Sequence, residues 1–201
     1  MSKPLLSILI PTVVDRDAQY KILKRKIYEQ TYANHDWLTE IVEILSLSDN
    51  KEMTIGEKRE RLYKKAIGDF SWQIDDDDSI ADDAISLILQ AIKENPGVDC
   101  ITFRENCMMN GKYKSSNHSL VYEKWQDNFD GYDYVRCPFY KDVIRTEIAQ
   151  SVPFPKIRYN EDEQWSMAIR PHLKTEYHID KELYYYIYEP KDTHNERYGI
   201  V

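Results

Sequence analysis

Short apolar runs alternate with amphipathic segments through the first hundred residues, and this alternation constrains the fold more than any other feature. Residues 5–10 (Leu-Leu-Ser-Ile-Leu-Ile) form a run of strand length that closes on Pro11-Thr12. Tyr20, Leu23, Ile27 and Thr31 recur on one helical face, predicting a helix from about Asp17 to Tyr32. Residues 41–47 predict a second strand ending at Ser48-Asp49-Asn50. Thr54 and Glu57 have capping-box spacing, which predicts a helix to about Ile67 with Gly68 as its stop. Residues 70–74 predict a third strand, running straight into Asp75-Asp76-Asp77-Asp78. A third helix over 80–94, stopped by Asn95-Pro96-Gly97, and a fourth strand over 98–103 complete the series. Alternation of this kind builds a mainly parallel sheet with helices on its faces, joined by right-handed crossovers. Sites on such sheets lie at the carboxyl ends of the strands. Pro11-Thr12, Asp49 and the aspartate run all fall there.

The second half is less regular. Asn110-Gly111 is a hairpin signal, predicting a ribbon over about 101–122. Helices are predicted near 141–150 and 162–171, followed by a tyrosine-rich strand over 182–188 and a loop over 189–196. No linker separates the halves, so one domain is expected. The chain has 201 residues, with 35 Asp plus Glu against 27 Lys plus Arg, for a net charge of -8. That excess argues against non-specific nucleic-acid binding, which needs a basic surface. No run approaches the roughly 20 apolar residues of a membrane span, and no signal-peptide cleavage pattern follows the first apolar run. Cys100, Cys107 and Cys137 form no Cys-x-x-Cys pair, so free buried thiols and a cytoplasmic location are expected.

Five features could carry chemistry. The aspartate run exceeds what helix capping at Asp78 or Ser79 requires. Adjacent carboxylates at a strand end repel, and a divalent cation is an economical compensation. On an extended segment Asp75 would pair with Asp77 and Asp76 with Asp78. Glu161-Asp162-Glu163 is either a first turn favoured by the helix dipole or the seat of a general base. His194 is either a solvated loop residue or a metal ligand. The cations Lys58, Arg59, Arg61, Lys64 and Lys65 form either a solvated helix face or a neighbour for a diphosphate. Trp165 is either a platform for a sugar or part of the core.

Together these residues resemble the GT-A glycosyltransferases of the large inverting family two, over residues 7 to about 195. Pro11-Thr12 resembles the family's opening element, and Asp49 stands where the family has an aspartate that contacts the base. Gly56-Glu-Lys-Arg59 and Ala66-Ile-Gly-Asp-Phe70 resemble its Gly-x-x-Arg-Asn and Ala-x-Gly-x-Tyr lead into the third strand. Asp75 to Asp78 match the DxD element and its following aspartate, and Glu161-Asp162 matches the Glu-Asp pair that holds the base. The resemblance implies a Rossmann-like GT-A domain over 1–201, with a donor half over 1–104 and an acceptor half of ribbon and helix over 105–201. It implies Pro11, Thr12, Asp49, Arg59, Asp75 and Asp76 on a UDP-linked sugar. It further implies manganese or magnesium on Asp77, Asp75 and His194, and Asp162 as catalytic base. The acceptor would bear a hydroxyl on a glycan, a lipid-linked glycan, a protein or a modified base. The sequence departs from the family at Asp15-Arg16, which replaces Tyr-Asn, and at Glu60, which replaces Asn. It lacks the Gln-x-x-Arg-Trp signature, which excludes processive synthesis. A nucleotidyltransferase would need a glycine-rich loop after the first strand, and residues 11–20 contain no glycine. A nucleotide-sugar binder without catalysis is the other reading.

Overall fold

The computed structural model describes residues 3–31 and 41–188. The alternating half gives β1 (Leu6–Val13), α1 (Asp17–Thr31), β2 (Val42–Asp49), α2 (Ile55–Lys65), β3 (Phe70–Gln73), β4 (Ser79–Ile80) and α3 (Ala84–Glu94). The second half gives β5 (Cys100–Met109), β6 (Lys112–His118), β7 (Gln126–Phe129), β8 (Tyr132–Arg136), β9 (Val143–Arg145), α4 (Thr146–Ser151), α5 (Glu161–Ile169) and β10 (Glu176–Tyr188). One ten-stranded sheet runs through all of it. Strands β2, β1 and β3 lie parallel, and β10 lies parallel to β5. The short β9 is antiparallel to both β3 and β5 and joins the two halves.

The twofold period of β1 explains how helices come to cover both faces. Leu6, Ile8 and Ile10 point into one core with Leu23 and Ile27 of α1 and Ile85, Ile88 and Ile92 of α3. Leu9 points into the other, with Leu62 and Tyr63 of α2, Ala149 of α4, and Trp165 and Ile169 of α5. The capping box at Thr54 and Glu57 forms as the spacing predicts. Helix α2 ends at Lys65, and Gly68 serves a different purpose from a helix stop. A Cβ there would lie 2.7 Å from the Ser7 backbone nitrogen, so glycine is what lets this loop close against β1.

Several expectations need correction. Helix α3 starts at Ala84, because Ser79 and Ile80 pair with Tyr185 and Tyr184 of β10. The segment over 141–150 divides into a strand and a helix. Val143 and Ile144 are β-branched and fully buried, and they fill the gap between β3 and β5. The hairpin at Asn110-Gly111 forms with both residues at positive φ, as its turn type requires. A second hairpin, β7–β8, turns at Asp130-Gly131 with φ of 54° and 82°. The strand predicted over 182–188 begins earlier, at Glu176, and crosses an irregularity before Tyr184. All three cysteines are free and buried. No helix among the described residues is long and apolar enough to cross a membrane.

Trp165 belongs to the core. It is fully buried, stacks on Phe154 at 4.5 Å and on Tyr63 at 5.3 Å, and donates from Nε1 to the Val152 carbonyl at 2.9 Å. Trp165→Ala should therefore cost about 3–5 kcal/mol of stability in a chemical denaturation curve. A sugar platform on the surface would leave the curve almost unmoved.

Candidate active site

The aspartate run is folded, and its residues part company. Ile74 still donates to the Leu9 carbonyl at 3.0 Å, continuing the β1–β3 pairing. Asp78 N–H then closes on the Asp75 carbonyl at 3.1 Å, making a turn. The two alternating pairs predicted for an extended segment do not form, and each carboxylate has its own surroundings.

Asp75 faces α2. It accepts both arms of the Arg59 guanidinium, at 2.8 and 3.1 Å, and the Tyr140 hydroxyl at 2.7 Å. Burial opposes its charge, but Arg59 holds the carboxyl below its ordinary range. Asp76 is buried and accepts from Thr12 Oγ1 at 2.7 Å and from Arg16 at 2.8 Å. Asp78 is buried and accepts from the Tyr184 hydroxyl at 2.7 Å and the Ile187 N–H at 3.1 Å, with Lys141 at 3.7 Å. Burial pushes its carboxyl up, to about 8, against the pull of Lys141. Asp77 is the most open of the four, with a side chain 34% exposed and an ion pair to Arg16 at 3.0 Å. Burial still pushes its carboxyl up. Arg16 pulls it back, while Asp75 and Asp76 add to the push.

Helix α2 organises this strand edge through two consecutive cations about 100° apart around its axis. Lys58 is buried, ion-paired to Asp49 at the end of β2, and donates to the Thr12 carbonyl at the end of β1. Asp49 also accepts from the Met53 N–H at 2.6 Å, so both of its oxygens are engaged by the protein. Arg59 reaches Asp75 on one side and Glu161 on the other, at 3.3 Å, with its guanidinium 3.4 Å above the Tyr140 ring. Burial works against the Arg59 charge, and Asp75, Tyr140 and Glu161 more than offset it. Arg61, Lys64 and Lys65 point to solvent, where Lys64 pairs with Glu60.

Helix α5 brings the second acid cluster to the same place. Its N-cap, Asn160, is left-handed at φ 61°, which turns the chain into the helix with Glu161 buried against Arg59. Asp162 is half-buried and accepts from the Glu163 N–H at 2.9 Å. It lies near enough to Tyr140 for its charge to help push that phenol up, after burial and Asp75. Gly56 makes the approach of α2 feasible, since a Cβ there would meet the Pro155 carbonyl oxygen at 1.8 Å. Pro11 pairs with Leu47 in β1, two residues past the last β3 partner, Leu9. His194 lies outside the described residues.

Behind the aspartates runs a buried chain of alternating charge. Lys141 pairs with Glu105 at 2.6 Å, Glu105 with His118 at 3.3 Å, and His118 with Asp142 at 3.1 Å. Sequence reading missed Arg16 as a partner of the run, and also Tyr140, Lys141 and Tyr184. The Asp15-Arg16 departure and the polar-aromatic block Phe139-Tyr140-Lys141-Asp142 were the available signals. Only the pairing of β9 with β3 and of β10 with β4 brings Tyr140, Lys141 and Tyr184 to face the run.

The chain resembles solved structures that hold sugar nucleotides. It superposes on residues 1–349 of S. aureus TarS with a TM-score of 0.62 and 15% identity, over 90% of this chain and 60% of that one. The TarS 1–349 complex with UDP-GlcNAc gives a TM-score of 0.62 and 15% identity, over 92% and 59%. The mannosyltransferase PcManGT from Pyrobaculum calidifontis, in complex with GDP-Man and Mn2+, gives 0.56 and 12%, over 98% and 60%. At these identities the likeness establishes the fold, a GT-A-like α/β sheet flanked by helices. The chain spans about 60% of the length of those structures. No protein-family model matches the sequence, and no curated protein does.

The buried chain predicts a pH dependence of stability. Burial alone would lower the His118 pKa, but Asp142 and Glu105 raise it to about 9. A histidine held above its unfolded value near 6.5 contributes stability that is complete below that pH and lost as pH rises through about 9. The raised carboxyl of Asp78 acts in the same direction, from its unfolded value near 3.9 up to about 8, and so shares part of this window. The protein should therefore lose stability between pH 6.5 and 9 in urea titrations. His118→Asn should flatten that slope above pH 6.5, whatever its stability at pH 6.

Proposed function

We propose that this chain is an inverting glycosyltransferase domain of the family-two type. It transfers a sugar from a nucleotide-sugar, UDP-linked first of all, to an acceptor hydroxyl. One observation carries the reading: Arg59 joins the aspartate run to the acid pair of α5, so both clusters of the resemblance meet on one guanidinium. The fold shared with complexes of UDP-GlcNAc and GDP-Man supports it.

The donor lies across the ends of β1, β2 and β3, on the side of residues 1–104. Pro11 and Thr12 border the base. Asp49 shapes the wall there by fixing Lys58 and the loop before α2, since its own oxygens are occupied. Arg59 and Asp75 brace the turn beneath the ribose and diphosphate, and Asp76 ties that turn to Thr12. Acceptors bind on the side of residues 105–201, where a glycan, lipid-linked glycan, protein or modified base presents its hydroxyl. Asp162, half-buried at the head of α5, takes the proton of that hydroxyl as it attacks the anomeric carbon from the face opposite the diphosphate. The anomeric carbon to diphosphate oxygen bond breaks as the new glycosidic bond forms. Three free thiols suit a reducing, cytoplasmic setting.

The carboxylates fit a divalent cation in a restricted way. Among the described residues no three His, Cys, Asp or Glu side chains converge as a metal cage. Asp75, Asp76 and Asp78 are committed to protein donors, which leaves Asp77 as the open oxygen ligand. A hard cation such as Mg2+ or Mn2+ is well served by one or two carboxylates plus substrate phosphates, so Asp77 together with the diphosphate would hold it, with His194 as the further candidate. Bound there, the cation would offset charge on the departing nucleoside diphosphate as a Lewis acid.

A panel of nucleotide-sugars with Mn2+, scored for nucleoside diphosphate release, tests the reading and identifies the donor. Asp162→Asn should reduce release by about 10²–10⁴-fold while leaving donor binding intact, and Asp77→Ala should lose transfer. Full transfer by Asp162→Asn would remove the base assignment. Donor binding without release, under every acceptor offered, would favour a binder.

A further inference from the structure

Among the described residues, Arg16 is the cation paired with the most exposed carboxylate of the run, Asp77. It ends a single 3-10 turn, Val14–Arg16, directly after β1, where the strand's own path aims it across the sheet edge. Its Nη1 lies 2.8 Å from Asp76 Oδ1 and 3.0 Å from Asp77 Oδ2. The Arg16 side chain is 30% exposed, against 3% for Arg59. That difference separates their roles. Arg59 is walled in by Asp75, Glu161 and Tyr140 and cannot leave without stranding buried carboxylates. Arg16 is partly open to solvent, and Asp76 has a bond to Thr12 besides its pair with Arg16.

A guanidinium and a divalent cation on the same carboxylate repel each other strongly at a partly desolvated site. We propose that Arg16 is a resident counter-ion of Asp77 that a divalent cation must displace. Binding of the cation to the free chain is thereby weakened, and the cleft's charge stays balanced between turnovers. The displaced guanidinium remains tethered beside the turn, where its planar fork suits the oxygens of the arriving diphosphate. The inference rests on the proposed assignment of Asp77 as the open ligand for the cation.

Mn2+ binding to the full chain without nucleotide, read from the free-ion signal in electron paramagnetic resonance, tests it with no reliance on activity. Arg16→Gln should bind Mn2+ about tenfold more tightly than the parent, which corresponds to about 1.4 kcal/mol. Arg16→Lys, which keeps the charge on a shorter reach, should fall between. Thermal unfolding of the three proteins confirms that each is folded. Equal or weaker Mn2+ affinity in Arg16→Gln overturns the counter-ion role and leaves the Asp77 site standing. Failure of all three to bind Mn2+ without nucleotide overturns the counter-ion role, and failure with UDP added as well overturns the Asp77 site together with it.

Discussion

Four adjacent carboxylates at the end of a buried strand repel one another, and the rest of the cleft is built around their compensation. Asp75 and Asp78 have partners of their own, and Asp76 and Asp77 share Arg16. Asp75 has a bidentate guanidinium, Asp76 a threonine hydroxyl and a second guanidinium, and Asp78 a tyrosine, a backbone N–H and a nearby ammonium. The turn between Asp75 and Asp78 makes this division feasible, because it points the side chains in separate directions. Asp77 is left facing the opening. Removing one partner of a buried ion pair typically costs about 3–5 kcal/mol. The arrangement around Arg59 is therefore rigid, while the pair of Arg16 and Asp77 is about a third exposed, at 30% and 34%. That contrast separates architecture from chemistry in the cleft.

Helix α2 is the element through which this compensation is distributed. Its capping box fixes where the helix starts, and the start fixes the directions of Lys58 and Arg59. Lys58 ties the ends of β1 and β2 together, and Arg59 ties the end of β3 to α5. The cations noted in the sequence as one basic stretch thus divide into two buried braces and three surface charges. Deeper in the molecule, Lys141, Glu105, His118 and Asp142 extend the alternation of charge into the core, where every member has a partner of opposite sign. The net acidity of the chain consequently overstates the charge that the cleft presents.

The first half of the fold was legible because its signals are local. A capping box, a short continuous apolar run in β1 and a threefold-to-fourfold apolar period in α1 are each specified within a few residues. The second half was less legible because its signals are long-range. Val143 and Ile144 become a strand only because β3 and β5 leave a gap for them, and Ser79 and Ile80 only because β10 passes alongside. The β7–β8 hairpin is a different case, since Asp130-Gly131 carries a turn signal as plain as that of Asn110-Gly111. Within the candidate site, the aspartate run and the acid cluster at the head of α5 each carry a local sequence pattern. Tyr140, Lys141 and Tyr184 were not legible in this way, since their roles arise where strands distant in sequence meet.

On the proposed reading, Asp77 is the carboxylate left open for a cation shared with a nucleoside diphosphate. Anomalous diffraction from crystals grown with UDP and Mn2+ locates that cation. One strong manganese peak is expected within coordination distance of an Asp77 carboxylate oxygen, about 2–2.5 Å, and of the diphosphate oxygens. UDP bound with no peak at Asp77, or with manganese coordinated by other side chains, would contradict it.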